Sequence, residues 1–475
     1  MHTLHTETTP PGGVESLAER FAALLGEARG RTLELIEPVC DQDLERVHST
    51  LMSPLVWDLG HIAAFEDLWL CRNAGGLEPL YPELLDVYDA TETPRSGRGE
   101  LGYLRCEDAR RYLEAVRDRA LDVLAAAELG DGSDPLNARG FVWEMVVRHE
   151  QQHNETMLQT LKLAEPGVFG PERRPLPDGA PDGASADRTG GDGAGADGAG
   201  RFAQGAGGDG AGRFVRASDA MVRVEGGPFP LGLDPPEFGY DNERPAHEVH
   251  LPPFLIDRLP VTNGAYREFV EAGGYRREDW WSENGWEWKE REGIESPLFW
   301  SSDGTERSFD RIEEIDPDLP VMHVSWFEAD AFARSRGKRL PTEAEWEKAA
   351  CWDGETKRRF PWGHEPASEQ RANLDQTGFG PARAGAYGEG ASPCGALGMV
   401  GDAWEWTASD FAAYPGFRAF PYREYSELFF GDDYKVLRGG SWATRSRVAS
   451  ATFRNWDFPQ RRQIFSGFRC AKDAS

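Results

Sequence analysis

The chain has 475 residues, enough for two to four domains at about 150 residues each. Its 52 Lys and Arg against 81 Asp and Glu give a formal net charge of −29, which argues against polyphosphate and anionic-membrane partners. There is no run of about 18 apolar residues to span a bilayer, and MHTLHTETTPPGG has neither the basic nor the apolar region of a secretory signal. The six scattered cysteines contain no C-x-x-C pair and fit a reducing compartment, so a cytoplasmic protein is predicted.

The first third carries helical periodicity. One helix is predicted over 16–37, and a second starts at Ser53-Pro54, read as an N-cap followed by proline at the first helical position. The second runs through LVWDLGHIAAFEDLWLCR to the stop signals Asn73-Ala74-Gly75-Gly76. A long connection over 80–104 precedes helices at 107–128 and 138–164. Four amphipathic helices of this length predict a four-helix bundle.

From Pro171 to Arg216 the chain turns to Gly, Ala and Asp, with DGAGRF at 197–202 and again at 209–214. This composition predicts a flexible linker or surface insertion. Beyond it, MVRVEGGPFPLG, EVHLPPFLIDRLPVT, VMHVSW and YKVLRGGSW read as short strands. They are interrupted by helices near 262–274 and 327–350. The fold class is therefore multidomain, α and α+β: a bundle over 14–168, a linker over 171–216 and an α+β domain over 217–473.

There are only ten histidines, so their placement carries information. His149 and His153 stand four residues apart on one helix face, in the apolar stripe Val142, Met145, Val146, Met157 and Leu161. Two unpaired imidazoles inside a bundle are costly, and a metal removes that cost. His61 lies beside the inward stripe Leu55, Leu59, Ile62, Phe65 and Trp69 and offers a third ligand. Glu66 or Glu150 offers a carboxylate instead. Zinc would keep one open position and octahedral iron three, enough for two substrates and dioxygen. His247, His250, His323 and His364 read as structural.

The motifs LMSPLVWDLGHI, HEQQHNETM, DNERPAHEV, RLPTEAEWEKAA, GDAWEWTAS, LRGGSW, FRNWDFPQRRQIF and GFRCA together resemble a known family. The N-terminal half is similar to DinB-type metal-binding four-helix bundles. The C-terminal half is similar to the formylglycine-generating-enzyme/sulfatase-modifying fold, which is related to C-type-lectin-like domains. In this order the two halves resemble the ergothioneine-pathway sulfoxide synthases, or hercynine oxygenases. The resemblance implies O₂-dependent C–S bond formation on non-haem Fe(2+). It joins γ-glutamylcysteine to C2 of hercynine (Nα-trimethylhistidine) and yields a sulfoxide.

By the same resemblance His61, His149 and His153 hold iron, and Gln152 binds the hercynine imidazole. Tyr422 donates a proton, with Tyr425 nearby as the alternative. Arg95 and Arg98 bind the carboxylates of γ-glutamylcysteine, Asp457 its ammonium, and Asn455 and Trp456 line the hercynine site. A forked guanidinium suits a carboxylate, and an aromatic face suits a quaternary ammonium. Formylglycine-generating enzymes use a cysteine pair near GFRCA, but Phe465 stands five residues before Cys470, so cysteine-based oxidation is not expected. The alternatives are a selenoneine-type synthase taking a selenosugar, a zinc-dependent thiol transferase, and a non-catalytic ligand-binding protein built on the lectin-like domain.

Overall fold

The computed structural model describes residues 16–132, 134–177 and 220–474. Helix α1 (Leu17–Ile36) opens on a capping box: Ser16 Oγ accepts from the Glu19 amide, and the Glu19 carboxylate accepts from the Ser16 amide. A single turn, α2 (Asp41–Leu44), leads to α3 (Leu55–Glu66), which continues as a π-helical stretch over Asp67–Ala74. Pro54 rather than Ser53 occupies the cap of α3, because its extended ψ of 139° keeps it outside the helix. The Ser53 hydroxyl instead accepts from Arg98 Nη1 at 2.8 Å. The predicted stop signals do end the helix: Gly76 takes φ +67°, and its amide and that of Leu77 close on the carbonyls of Arg72 and Cys71.

Helices α4 (Cys106–Ala126) and α5 (Phe141–Leu163) complete the bundle. The connection between α3 and α4 holds two 3₁₀ turns, Pro82–Leu84 and Arg95–Glu100. Helix α3 packs against α4 and α5, and α1 against α5 and α4. The predicted inward stripe of α3 is wider than expected, since every residue of that helix except the half-buried Phe65 is buried. The bundle interior is not wholly apolar. Arg29 of α1 and Arg117 of α4 both pair with Glu66 (2.7 and 2.6 Å) and with Glu150 (2.8 and 3.2 Å). Burial would raise the Glu150 carboxyl, but Arg29 and Arg117 more than offset it and hold it below its ordinary value.

The second domain is built from small sheets and short helices. Strands β1 (Met221–Val224), β4 (Phe254–Asp257) and β11 (Ala471–Asp473) form an antiparallel sheet in the order β1-β4-β11. Strands β2 (Gly227–Leu231) and β3 (His247–Leu251) form a hairpin, as do β5 (Thr305–Ser308) and β6 (Arg311–Glu314). The sheet nearest the bundle runs β10-β7-β8-β9, with β7 (Trp404–Asp410), β8 (Lys435–Arg438), β9 (Asn455–Asp457) and β10 (Ser466–Gly467). Four helices flank these sheets: α6 (Asn263–Glu271), α7 (Glu283–Glu292), α8 (Trp326–Ser335) and α9 (Glu343–Cys351). The run VMHVSW, predicted as a strand, forms none, because His323 takes φ +60° and breaks the extended register. Of the predicted linker over 171–216, residues 178–216 lie outside the described residues. Residues 171–177 run along the second domain, where Arg173 pairs with Glu313 at 2.8 Å.

The two domains share one apolar core, and polar contacts tie the length of α5 to the second domain. The buried Glu155 accepts from Trp404 Nε1 (2.7 Å), Ser441 Oγ (2.8 Å) and Thr444 Oγ1 (2.6 Å). Glu144 pairs with Arg447 near one end of the helix. At the other end, Arg307 donates to the terminal carbonyls of Lys162 and Ala164, and Lys162 Nζ donates back to the Arg307 carbonyl, all at 2.7 Å.

Removing one arginine from the buried four-charge network leaves two buried carboxylates sharing a single guanidinium. Arg117→Ala is expected to destabilise the protein by about 3–5 kcal/mol, read as a fall in the urea midpoint. An unchanged midpoint would show that Arg29 alone suffices.

Candidate active site

The site lies where the bundle meets the second domain, in a cavity of about 1020 Å³. Its floor is three imidazoles. His61 comes from α3, and His149 and His153 come from successive turns of α5. One ligand atom of each lies within 4.8 Å of the others. His61 Nδ1 donates to the Tyr88 carbonyl at 2.6 Å, which fixes the tautomer and leaves the Nε2 lone pair facing inward, 3.1 Å from His149 Nε2. That close approach of Tyr88 depends on Gly60, since a Cβ there would sit 2.2 Å from the Tyr88 ring.

His153 Nδ1 stands 3.3 Å from Asp58 Oδ1. Asp58 is fully buried and neither of its oxygens has a hydrogen-bond partner. Burial is the main influence holding His61 and His149 well below the ordinary imidazole value, and the neighbouring His153 adds to it. Both rings are therefore uncharged at neutral pH. Convergent imidazoles backed by a buried carboxylate fit a divalent cation. Glu66 and Glu150, offered by the sequence as alternative ligands, are consumed by Arg29 and Arg117 and take no part.

All the other predicted site residues line the same cavity. Gln152 stands between His149 and His153 on α5 and donates through Nε2 to Tyr240 Oη at 2.7 Å. Tyr422 packs on Trp69 with ring centroids 4.9 Å apart and meets Phe65 edge-on at 6.4 Å; Phe65 in turn stacks on His149 at 3.6 Å. Tyr425 instead lies flat on Tyr240, centroids 4.4 Å apart. Burial is the main cause that pushes both hydroxyls well above the ordinary phenol value. Asn455, Trp456 and Asp457 form β9, and Trp456 stacks on Phe411 at 4.1 Å. Burial raises the Asp457 carboxyl, against the pull of Arg461, 3.5 Å away, and of Arg95.

The two arginines of the α3–α4 connection differ. The buried Arg98 lies 3.8 Å over the Trp57 ring and donates to Ser53 Oγ and to the carbonyls of Thr93 and Ala90. It is thus bound into its own loop, and burial and Arg95 lower its guanidinium to about 10. Arg95 is half-buried, its Nη1 lies 3.8 Å from the Met52 sulfur, and among the described residues its guanidinium meets no oxygen acceptor.

Sequence reasoning missed Asp58 and Tyr240. Asp58 had a signal, a lone carboxylate in the apolar run LVWDLGHI three residues before His61. Tyr240 had none, because its contact with Gln152 spans 88 residues of chain.

Two family models match: the Sulfatase-modifying factor enzyme 1-like domain over residues 211–474 and the DinB superfamily over 24–157. A protein of Mycolicibacterium smegmatis named hercynine oxygenase is 44% identical over 97% of this chain and 99% of its own. A second of that name, from Mycobacterium tuberculosis, is 45% identical over 96% of this chain and 99% of its own. The chain belongs to the hercynine oxygenase family. It is an oxidoreductase of that family, with a DinB-like helical region and a sulfatase-modifying-factor-like domain. The formylglycine-generating enzyme of Thermomonospora curvata is 33% identical over 53% of this chain, matching 93% of its own. All six cysteines here are free, and burial, reinforced by Asp257, pushes the Cys470 thiol well up. No described helix is long and apolar enough to cross a membrane.

The Asp58–His153 contact predicts a measurable change in metal affinity. Asp58→Asn is expected to weaken divalent-metal binding by about 10–100-fold, followed by metal titration of the apoprotein. Undiminished affinity would remove Asp58 from the site.

Proposed function

We propose that this hercynine oxygenase family member is a non-haem iron(II)- and O₂-dependent sulfoxide synthase acting on hercynine and γ-glutamylcysteine. The observation that carries the reading is the convergence of His61, His149 and His153 beneath one cavity walled by Tyr422, Gln152 and the β9 triplet. Three protein ligands leave open positions for small molecules, and a ferrous ion held there supplies O₂ activation. The reaction balances: one S–H and one C–H bond are lost, a C–S bond forms, one oxygen atom goes to sulfur and the other leaves as water.

The chain's own groups bind, orient and move protons. Gln152 offers Oε1 to the imidazole N–H of hercynine. Trp456 and the neighbouring tyrosines offer aromatic faces to its trimethylammonium. Arg95 takes a carboxylate of the thiol substrate, and Asp457 takes its ammonium. Arg98 holds the loop that carries Arg95 with three of its five N–H donors and keeps the others for a second carboxylate of the thiol substrate. Tyr422 Oη is the proton donor: the hydroxyl stays protonated at neutral pH and its ring is linked through Phe65 to His149. Tyr425 is turned toward Tyr240.

The test is anaerobic reconstitution with Fe(II), then addition of hercynine, γ-glutamylcysteine and O₂. Mass spectrometry is expected to show the coupled sulfoxide, and no product with any thiol donor would overturn the reading. Tyr422→Phe should keep its metal and lose about 10²–10⁴-fold in sulfoxide formation. Undiminished formation by that variant would reassign the proton donor.

A further inference from the structure

Gln152 has two amide hydrogens and one carbonyl oxygen to place. Its Nε2 lies 3.2 Å from the Arg148 carbonyl one turn back and 2.7 Å from Tyr240 Oη. A backbone carbonyl only accepts, so the nitrogen must be the atom facing it. Turning the amide over would set Oε1 against the Arg148 oxygen. The Arg148 contact, to a backbone carbonyl of the same helix, is nevertheless the longer of the two. The short contact, to Tyr240, is the one that ties the amide down.

Tyr240 is itself placed with little freedom. It is 3% exposed. Its ring lies flat on Tyr425 (4.4 Å, 16°) and meets Phe238 and Phe453 edge-on, with centroids 5.3 and 5.9 Å away. Its amide donates to Glu243 Oε1 at 2.8 Å. The hydroxyl that receives Gln152 is thus held by rings and backbone of the second domain, while Gln152 belongs to the bundle.

From this arrangement we infer that Tyr240 is a positioning residue. It takes up the second N–H of Gln152, so that the amide shows the cavity only its acceptor oxygen. The inference rests on the proposed reaction and deepens it. An acceptor-only group at that place selects an azole that presents an N–H there. It disfavours one presenting a bare lone pair or an N-alkyl group, because Oε1 would then face a second acceptor or a clash. Specificity for the protonated edge of the imidazole is therefore set by a residue that does not touch the substrate. It also depends on the docking of the two domains, since the donor and its lock come from different ones.

A double-mutant cycle on the full-length, metal-loaded enzyme tests this. Hercynine affinity is read by calorimetry and as KM against kcat, with the KM of γ-glutamylcysteine followed in parallel. Tyr240→Phe keeps the ring contacts and loses only the hydroxyl. It is expected to weaken hercynine binding by about tenfold, with the loss in hercynine KM and not in that of the thiol. In the Gln152→Ala background the same change is expected to do nothing further. An unchanged hercynine affinity in Tyr240→Phe overturns the inference. So does an equal loss with and without Gln152, because Tyr240 would then act by another route. A wild-type enzyme that takes up no hercynine overturns the functional reading and this inference with it, whereas the first two outcomes overturn the inference alone.

Discussion

Helix α5 is the constraint on which the rest depends. It passes through the middle of the molecule carrying Glu144, His149, Glu150, Gln152, His153 and Glu155, and a polar group withdrawn from water must find a partner. The partners lie in three directions. Glu150 is met inside the bundle by Arg29 and Arg117. Glu144, Gln152 and Glu155 are met across the domain boundary by Arg447, Tyr240 and the Trp404–Ser441–Thr444 group. The two imidazoles alone point at other imidazole nitrogens, and they are the groups left needing a cation. The imidazoles are thus set apart from the carboxylates of the same helix, each of which is met by protein donors.

This arrangement explains why the site can be buried and still be rigid. The Arg29–Glu66–Arg117–Glu150 network fixes α1, α3, α4 and α5 against one another one residue away from His149. Burying four charges is costly against an apolar core of equal volume, so the gain lies in register rather than in stability. The register matters because His61 comes from a different helix from its two partners. A slip of α3 along α5 would carry it out of reach.

What the sequence disclosed follows from how far each signal travels along the chain. The bundle helices announce themselves through period and capping, and His149 and His153 through their i, i+4 spacing, all within one or two turns. His61 could be added because its own helix showed which way it faces. Glu66 and Glu150 could not be told from ligands, because the arginines that consume them come from other helices. Arg98 looked like a second free guanidinium beside Arg95. Its acceptors are two carbonyls and a hydroxyl made available only by the fold of its loop. The π-helical stretch over Asp67–Ala74 carries the same apolar spacing as an ordinary helix, so no pattern marks it. The strand expected at VMHVSW fails at one residue, His323, whose left-handed backbone is a tertiary outcome.

The division of residue types across the cavity completes the picture. The bundle contributes the three imidazoles, and the second domain contributes Tyr422, Tyr425 and Trp456. One physical influence acts on both sets. Burial drives His61 and His149 down and Tyr422 and Tyr425 up, in each case toward the uncharged form. At neutral pH the same enclosure therefore yields deprotonated nitrogen donors for a cation and a protonated hydroxyl beside them. Neither group needs a dedicated charge partner to reach that state. The protein's net charge of −29 has little hold on such a site.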